Sequence, residues 1–270
     1  MKIASICPSN TELAAYLGLA PNIIAVDDYS DWPSEITHLP RLGPDLSIDI
    51  DKLESLQPDL ILASLSVPGM EKNIEKLRER NLPHVVFNPN SLNEIADDLL
   101  ELGKLTGTEK KANAIVKKYF QIIDEYKAIA SNIREKKTLY WEWWPKPVFT
   151  PGGTNWLTEI SELAGGTNLF HDKNIASVQT TWDAVLERHP DVICLAWVGV
   201  NQTKVKPEFV TKREGWDKLY ERKQPPIHIL EEDLFCRPSP RLLHGLKKLA
   251  YLLHPDKYPV FNDTDTLLEK

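Results

Sequence analysis

Residues 108–134 read TEKKANAIVKKYFQIIDEYKAIASNIR, and the spacing of the apolar residues in this stretch decides the fold. Apolar side chains recur every three or four positions from Ala112 to Ile133, and lysines and acidic residues fill most of the other positions. This period predicts one amphipathic helix, which would be roughly 37 Å long at 1.5 Å per residue. A helix of that length either lies inside one large domain or joins two domains.

Two similar segments flank this helix and favour two domains. Residues 53–64 read LESLQPDLILAS, and residues 185–197 read VLERHPDVICLAW. Each is a helix end, then Pro-Asp, then an apolar run of strand length. Before the long helix, strand and helix patterns alternate, which is typical of a parallel sheet. The single elements predicted from such patterns along the chain include a strand at Ile23–Val26 and helices at Trp156–Leu163 and Trp216–Arg222. We therefore predict an α/β fold with an N-terminal lobe over residues 1–107, a linking helix over 108–135 and a C-terminal lobe over 136–270.

Composition limits the class of partner. The chain has 270 residues, 42% of them hydrophobic, and a formal net charge of −7 without a basic run. This balance argues against nucleic acid or an anionic membrane as the main partner. No apolar stretch is long enough to insert into a bilayer. Cys7, Cys194 and Cys236 are odd in number and far apart, which predicts free thiols rather than a disulfide framework. We expect a monomer.

The first residues bear on localisation. Met1 to Cys7 runs directly into an apolar strand, without the charged and apolar segments of a secretory leader. The sequence as written therefore predicts a cytoplasmic protein. If an export signal is missing from this sequence, a periplasmic or an extracellular, membrane-associated protein is expected. At the other end, the tail from Pro259 is expected to be loosely ordered.

A polar turn follows the first strand, in the segment PSNTE of residues 8–12. Ser9 and Glu12 have the spacing of a capping box, as do Thr106 and Glu109 before the long helix. In an open α/β sheet, ligands bind at the carboxyl ends of the strands, so Ser9 and Asn10 are candidate ligand contacts. The alternative is a capped helix without a binding role.

Aromatic residues are concentrated in loops that follow strands. Tyr29 and Trp32 lie in DDYSDWP at residues 27–33, and three tryptophans lie in WEWW at residues 141–144. Trp197 ends the strand of the second Pro-Asp segment. Exposed aromatic clusters are typical of binding surfaces. The alternative for Tyr29 and Trp32 is packing against the neighbouring loop.

Signals for catalysis and for a protein-bound metal are weak. The seven histidines lack metal-ligand spacing, and the sequence contains neither a Walker loop nor a nucleophile elbow. Carboxylates cluster at residues 27–31 and 231–233, where we interpret them as solvated or helix-capping groups. We therefore predict a binding protein without a cofactor, whose cleft holds a large and partly apolar ligand.

Several segments, taken together and in order, carry a family resemblance: CPSNTELAAYLG (7–18), DDYSDWP (27–33), LQPDLILAS (56–64), FTPGGTNWL (149–157), AGGTNLF (164–170), HPDVICLAW (189–197) and DLFCRPSPRLL (233–243). The chain resembles the cobalamin-binding proteins of ABC importers, within the helical-backbone group of substrate-binding proteins. The resemblance implies two Rossmann-like lobes with parallel sheets, one linking helix and a corrinoid ligand between the lobes.

The resemblance also implies functional residues. In the cleft it implies a set of aromatic and polar contacts, namely Tyr29, Trp32, Trp143, Trp144, Trp197, Phe235 and Arg237. A glutamate that docks on an ABC permease falls at Glu71, and its counterpart in the second lobe at Glu208 or Glu214. Two positions depart from the family pattern, because Ser64 stands where an aromatic residue is usual and Cys236 where an acidic residue is frequent.

Three other functions stay open. A ferric-siderophore or haem binder of the same fold would need arginines facing the cleft, for which Arg41, Arg237 and Arg241 are the candidates. A tetrapyrrole chelatase would need a His/Glu metal pair in the cleft. A cytoplasmic corrinoid carrier or sensor would fit the N-terminus as written.

Overall fold

The computed structural model describes residues 1–221 and 224–268. The first lobe is built on a four-stranded parallel sheet in the order β2-β1-β3-β4. Its strands are β1 Ile3–Ser5, β2 Ile23–Val26, β3 Leu60–Ser64 and β4 His84–Phe87, and its helices are α1 Pro8–Tyr16, α2 Ile50–Ser55, α3 Glu71–Glu79 and α4 Leu92–Thr106. Strands β1, β2 and β3 are buried almost throughout, as strands covered by helices on both faces must be, whereas β4 at the edge of the sheet is half-buried except for Phe87.

The linking helix α5 spans Glu109–Ala130. It packs against α4 on one side and against the second lobe on the other. The helix ends before the predicted Arg134, because the side chains of Ser131 and Asn132 both donate to the carbonyl of Ala128 and compete with the backbone ladder. The capping box predicted for Thr106 and Glu109 is wrong, since the Thr106 hydroxyl donates back to Leu102 O (2.7 Å) within α4.

The second lobe contains a four-stranded parallel sheet in the order β11-β10-β5-β8 and a three-stranded antiparallel sheet in the order β6-β7-β9. Its strands are β5 Lys137–Glu142, β6 Trp144–Pro145, β7 Val148–Pro151, β8 Gly166–Asn168, β9 Ser177–Thr180, β10 Val192–Leu195 and β11 Ile227–Ile229. Its helices are α6 Trp156–Leu163, α7 Trp182–Glu187, α8 Glu208–Thr211, α9 Glu232–Phe235 and α10 Leu242–Leu253. The predicted fold of two α/β lobes with parallel sheets, joined by one helix, is confirmed.

Two local features of the second lobe differ from what the sequence led us to expect. A helix predicted over 216–222 is a 3-10 helix at Trp216–Glu221, and its predicted end, Arg222, lies outside the described residues, as do positions 269 and 270. The antiparallel sheet was not predicted from the sequence. Its strands are two to four residues long and two of the three contain a proline, so they carry almost no periodic signal.

The described part of the C-terminal tail, residues 259–268, is not loosely ordered as predicted. Directly before it, Tyr258 stacks on Tyr126 of α5 with ring centroids 5.3 Å apart, and the Tyr258 hydroxyl donates to Leu163 O (2.6 Å). Farther along, the hydroxyl of Tyr16 in α1 donates to Asp265, and Leu267 is buried. The tail therefore joins the second lobe to α1 of the first through Asp265.

Candidate functional site

A cleft of about 620 Å³ lies between the two lobes, at the carboxyl ends of strands from both sheets. From the first lobe it is lined by segments that follow β1, β2 and β3 and by the loop before α2. From the second lobe it is lined by segments that follow β10 and β11. The lining residues are Pro8, Asp28, Tyr29, Asp31, Asp45, Leu46, Val67, Val198, Gly199, Val200, Asn201, Gln202, Thr203, Glu231, Glu232, Asp233 and Arg237. This is the position at which open α/β sheets bind ligands.

Tyr29 stands on the first-lobe wall with 45% of its surface exposed. Its loop is fixed from below by Asp27, which is fully buried and accepts hydrogen bonds from Tyr29 N (2.8 Å) and Ser30 Oγ (2.5 Å). Burial raises the pKa of Asp27 to about 6, although these two hydrogen bonds oppose the rise. The Arg41 guanidinium donates to the carbonyls of Asp27 (3.0 Å) and Ser30 (2.6 Å). Tyr29 is thus presented to the cleft on a braced loop.

Arg237 lies on the opposite wall and is bonded to carboxylates of both lobes. It contacts Asp31 Oδ1 at 2.6 Å, Glu232 Oε2 at 2.9 Å and Glu12 Oε1 at 3.2 Å. Burial alone would lower the pKa of Arg237, but the carboxylates around it more than compensate and hold it above its usual value. The guanidinium is therefore a permanent cation whose donors are already engaged.

Glu12 is the centre of this inter-lobe network. It is fully buried in α1 and accepts from Arg237, from Arg241 Nη1 (3.0 Å) and from the hydroxyl of Ser239. Burial raises the pKa of Glu12, and both arginines oppose that rise. The predicted capping box of Ser9 and Glu12 is wrong, because charged donors of the second lobe hold the Glu12 carboxylate instead of a helix-end N–H group.

Three residues of the second lobe, Trp144, Trp197 and Phe209, form an aromatic strip that lies beside the cleft. Trp197 stacks on Phe209 with ring centroids 5.3 Å apart, and it lies 6.4 Å from the ring of Trp144. Phe209 and Trp144 are 46% and 43% exposed, and Trp197 directly precedes the cleft-lining Val198. Sequence reasoning identified both tryptophans but missed Phe209, whose only signal was a bulky apolar residue within the mostly polar stretch 199–215.

The strip rests on a buried carboxylate, Glu142. Trp197 Nε1 donates to Glu142 Oε1 (3.2 Å), and Arg213 donates to both carboxylate oxygens at 2.6 and 2.8 Å. The hydroxyl of Tyr140 donates to Glu142 Oε2 (2.6 Å) as well. Because this carboxylate has no exposed surface, its full set of donors fixes the orientation of Trp197.

The other predicted contacts lie behind the cleft surface. Phe235 is fully buried against Trp141, so its side chain belongs to the core and not to the wall. Asn10 is buried and donates to Ala63 O (2.9 Å), which ties α1 to β3. Ser9 is buried too, with its hydroxyl 3.3 Å from Cys7 Sγ.

Trp32 and Trp143 are half-buried and engaged with protein groups. Trp32 packs on Tyr16, and the guanidinium of Arg241 lies 4.9 Å above its ring. Trp143 packs on Trp156, with ring centroids 6.2 Å apart. Of the predicted contacts, the structure brings Tyr29 and Arg237 into the cleft lining, with Trp144 and Trp197 beside it. It does not bring Trp32, Trp143, Phe235, Ser9 or Asn10 there.

Acidic residues at the cleft are the main feature that sequence reasoning underestimated. Asp28, Asp31 and the run at 231–233 were interpreted as solvated or capping groups, yet all of them line the cleft. Asp45 was not singled out at all. The signal was present, since both clusters follow strands whose carboxyl ends meet at the inter-lobe edge.

Within residues 1–221 and 224–268, the geometry shows neither a metal centre nor a membrane span. Among the described residues, no three His, Cys, Asp or Glu side chains are grouped so as to hold a metal ion. Within the same ranges, no helix combines the length and the apolar character that crossing a bilayer requires.

Comparison with known proteins gives the family. The family model for periplasmic binding proteins matches residues 3–220. An uncharacterised ABC transporter substrate-binding lipoprotein of Bacillus subtilis, YvrC, is 30% identical over 95% of this chain and 81% of its own length. The vitamin B12-binding protein of Yersinia pestis is 26% identical over 96% of this chain and 88% of its own length.

Solved structures share the fold. The periplasmic vitamin B12 binding protein BtuF of Vibrio cholerae matches with a TM-score of 0.76 and 24% identity, over 94% of this chain and 96% of its own. A periplasmic haem-binding protein of Pseudomonas aeruginosa matches with a TM-score of 0.80 and 17% identity, over 96% and 94% of the two chains. Such relatives, periplasmic proteins and a lipoprotein, do not support the prediction of a cytoplasmic protein. The chain therefore belongs to the periplasmic binding protein family and is a substrate-binding protein of the ABC-importer type, not an enzyme.

Proposed function

We propose that this protein captures cobalamin or a related corrinoid in the inter-lobe cleft. Capture takes place outside the cytoplasmic membrane, and the protein then delivers the ligand to an ABC importer. The observation that carries the proposal is the open cleft at the carboxyl ends of both sheets, with Tyr29 on one wall and the aromatic strip beside the other. Aromatic rings suit the partly apolar faces of a macrocycle. The relatives described as vitamin B12-binding proteins, which align over nearly the whole chain, support the corrinoid.

Haem and ferric siderophores are the alternative ligands, and the arginines argue against them. Anionic ligands of this kind would call for guanidinium groups with free donors in the cleft. Arg237 is bonded to three carboxylates, Arg241 to Glu12 and Asp233, and Arg41 to backbone carbonyls. An acidic ligand group would have to displace one of these partners, which favours the corrinoid.

Glu71 and Glu208 are the proposed contacts with the permease. Each is the first residue of a helix, α3 in the first lobe and α8 in the second, and each is exposed. Backbone N–H groups of Glu71 itself and of Gly69 lower the pKa of the Glu71 carboxyl, which favours its ionised form. A pair of anionic side chains on the two lobes would suit arginines of a symmetric permease. Glu214 is also exposed but lies outside a helix N-terminus.

The ligand is tested by mixing the purified protein with cyanocobalamin, cobinamide or haemin in separate samples, followed by gel filtration with detection of each chromophore. We expect a corrinoid to co-elute with the protein at micromolar concentration and haemin to elute separately. Retention of haemin alone, or of none of the three, would overturn the proposal.

Docking is tested separately with Glu71→Lys and with Glu79→Lys as a matched control at the exposed end of the same helix. We expect both variants to bind corrinoid as the wild type does. Corrinoid uptake in cells that depend on the importer should fall with Glu71→Lys and persist with Glu79→Lys. Equal uptake by the two variants would contradict the assignment of Glu71.

A further inference from the structure

We propose that the cleft selects its ligand by charge, so that it takes a corrinoid of net positive charge and discriminates against an anionic one. This inference rests on the proposed corrinoid function and adds the chemical class of corrinoid. It assigns the selectivity to two first-lobe carboxylates, Asp28 and Asp45, that sequence reasoning had not connected with binding.

The walls of the cleft carry mainly negative side chains. Among the described residues, six carboxylates and one guanidinium line the cleft, and the carboxylates come from both lobes. They are Asp28, Asp31, Asp45, Glu231, Glu232 and Asp233, and the guanidinium is Arg237. A cleft lined mainly by one sign of charge concentrates the opposite charge, because its low-dielectric walls focus the field.

Cations of the protein neutralise only part of this negative charge. Glu231 pairs with Lys248 and Asp233 with Arg241, while Arg237 serves Asp31, Glu232 and the buried Glu12. Counting these partners, seven carboxylates face three cations, so this group carries a net charge of −4 when all of its members are ionised. The three cations are already shared among five carboxylates, and an anionic ligand would meet no uncommitted guanidinium in this group.

The two remaining carboxylates, Asp28 and Asp45, lie on the same wall of the cleft. Asp28 and Asp45 form no ion pair within residues 1–221 and 224–268. Their loops are joined, since Asp28 N donates to Gly43 O (2.9 Å), and Asn73 Nδ2 donates to Asp45 O (2.6 Å). Both carboxylates therefore sit on one braced wall beside Tyr29. Burial raises the pKa of Asp45, and backbone N–H groups and the charge of Arg237 oppose that rise, although Arg237 forms no ion pair with it.

Three probes with one ring system measure the effect of charge. Diaquacobinamide is doubly positive, dicyanocobinamide is neutral, and dicyanocobyrinic acid is multiply negative. The first two differ in their axial ligands, and the last two share axial ligands but differ in peripheral amides and carboxylates. At separations of several ångströms in a partly solvated cleft, each unit of ligand charge should change the dissociation constant by about 3- to 10-fold per uncompensated carboxylate.

Dissociation constants of the three probes are measured by tryptophan fluorescence quenching at low and high salt. The variants are Asp28→Asn, Asp45→Asn and, as the matched control, Asp124→Asn on the exposed face of α5. We expect the wild type to bind diaquacobinamide most tightly and dicyanocobyrinic acid least tightly, with the gap narrowing at high salt. Because these two probes differ by several units of charge, each cleft variant should reduce the ratio between their constants by more than about 10-fold, whereas the control leaves it unchanged.

The outcomes separate the two proposals. Corrinoid binding with equal constants for the three probes, or a preference for the anionic probe, overturns the charge selectivity and leaves the corrinoid function standing. Absence of binding for every probe refutes the corrinoid function and the selectivity with it. Should Asp45→Asn fail to fold, as its half-buried position allows, the exposed Asp28 still decides, because an unchanged ratio in Asp28→Asn contradicts the assignment.

Discussion

Replacement of Glu12 by glutamine tests whether the inter-lobe network stabilises the folded protein. Glu12 Oε1 lies 3.2 Å from Arg237 and 3.0 Å from Arg241, and all three side chains are largely buried, with exposures of 1%, 8% and 14%. Glutamine keeps the shape and one acceptor oxygen but removes the charge that both guanidinium groups face. Each arginine retains other carboxylates, Asp31 and Glu232 for the first and Asp233 for the second.

Removal of one member of a buried ion pair typically costs about 3–5 kcal/mol. Because both arginines keep other partners and glutamine remains a hydrogen-bond acceptor, we expect a loss of about 2–4 kcal/mol in the free energy of unfolding. Equilibrium unfolding in urea, followed by tryptophan fluorescence, measures the loss. Glu75→Gln on the exposed face of α3 is the matched control and should change stability by less than about 0.5 kcal/mol. If Glu12→Gln and its control are equally stable, the network does not hold the lobes together.

Three further predictions address the cleft loop, the ligand wall and the core. Burial raises the pKa of Asp27 from 3.8 to about 6; the stability that this group contributes is present below its unfolded pKa and is lost as pH rises through the folded pKa. Asparagine does not titrate, so the free energy of unfolding of Asp27→Asn minus that of the wild type should increase between pH 4 and pH 7, by up to about 3 kcal/mol. A difference that does not change with pH would contradict the raised pKa of Asp27. Tyr29→Ala should weaken corrinoid binding by about 1–3 kcal/mol in fluorescence titrations, with Leu105→Ala as an exposed control, and unchanged affinity would move the pocket elsewhere. In Gly245→Ala, the new Cβ would lie 2.3 Å from Leu234 O, so urea unfolding should reveal a loss of about 1–3 kcal/mol, and a gain in stability would disprove this close packing.

The fold was predictable because its elements carry local signals. The apolar period of residues 109–130 and the two Pro-Asp segments placed one long helix between two strand-containing lobes. Trp156–Leu163 and Ile23–Val26 have the predicted boundaries, since a cap or a turn residue marks their ends. Signals of this kind depend on neighbours in sequence, and a single sequence contains them in full.

The site was less predictable because it depends on pairing between distant residues. Glu12 has the local pattern of a capping residue, but its partners lie more than 220 positions away in the second lobe. Phe235 has the local pattern of an exposed loop aromatic, yet a short helix turns it into the core. The sequence did not predict that Asp28 and Asp45 line the same cleft as Glu231 of the other lobe, because this depends on how the two lobes pack together.

The same pairing bears on how the cleft closes. Besides α5, at least three ties cross between the lobes within the described residues: the network around Glu12, the tail contact of Asp265 with Tyr16, and the hydrogen bond that Leu92 N donates to Glu159 Oε2 (2.6 Å). A large hinge motion would have to break buried ion pairs, at several kcal/mol, as well as the tail packing. Small adjustments of exposed loops on a fixed frame cost far less. We therefore expect ligand selection to depend on walls that exist before binding, which is why the charge and the aromatic content of the unliganded cleft are informative about the ligand.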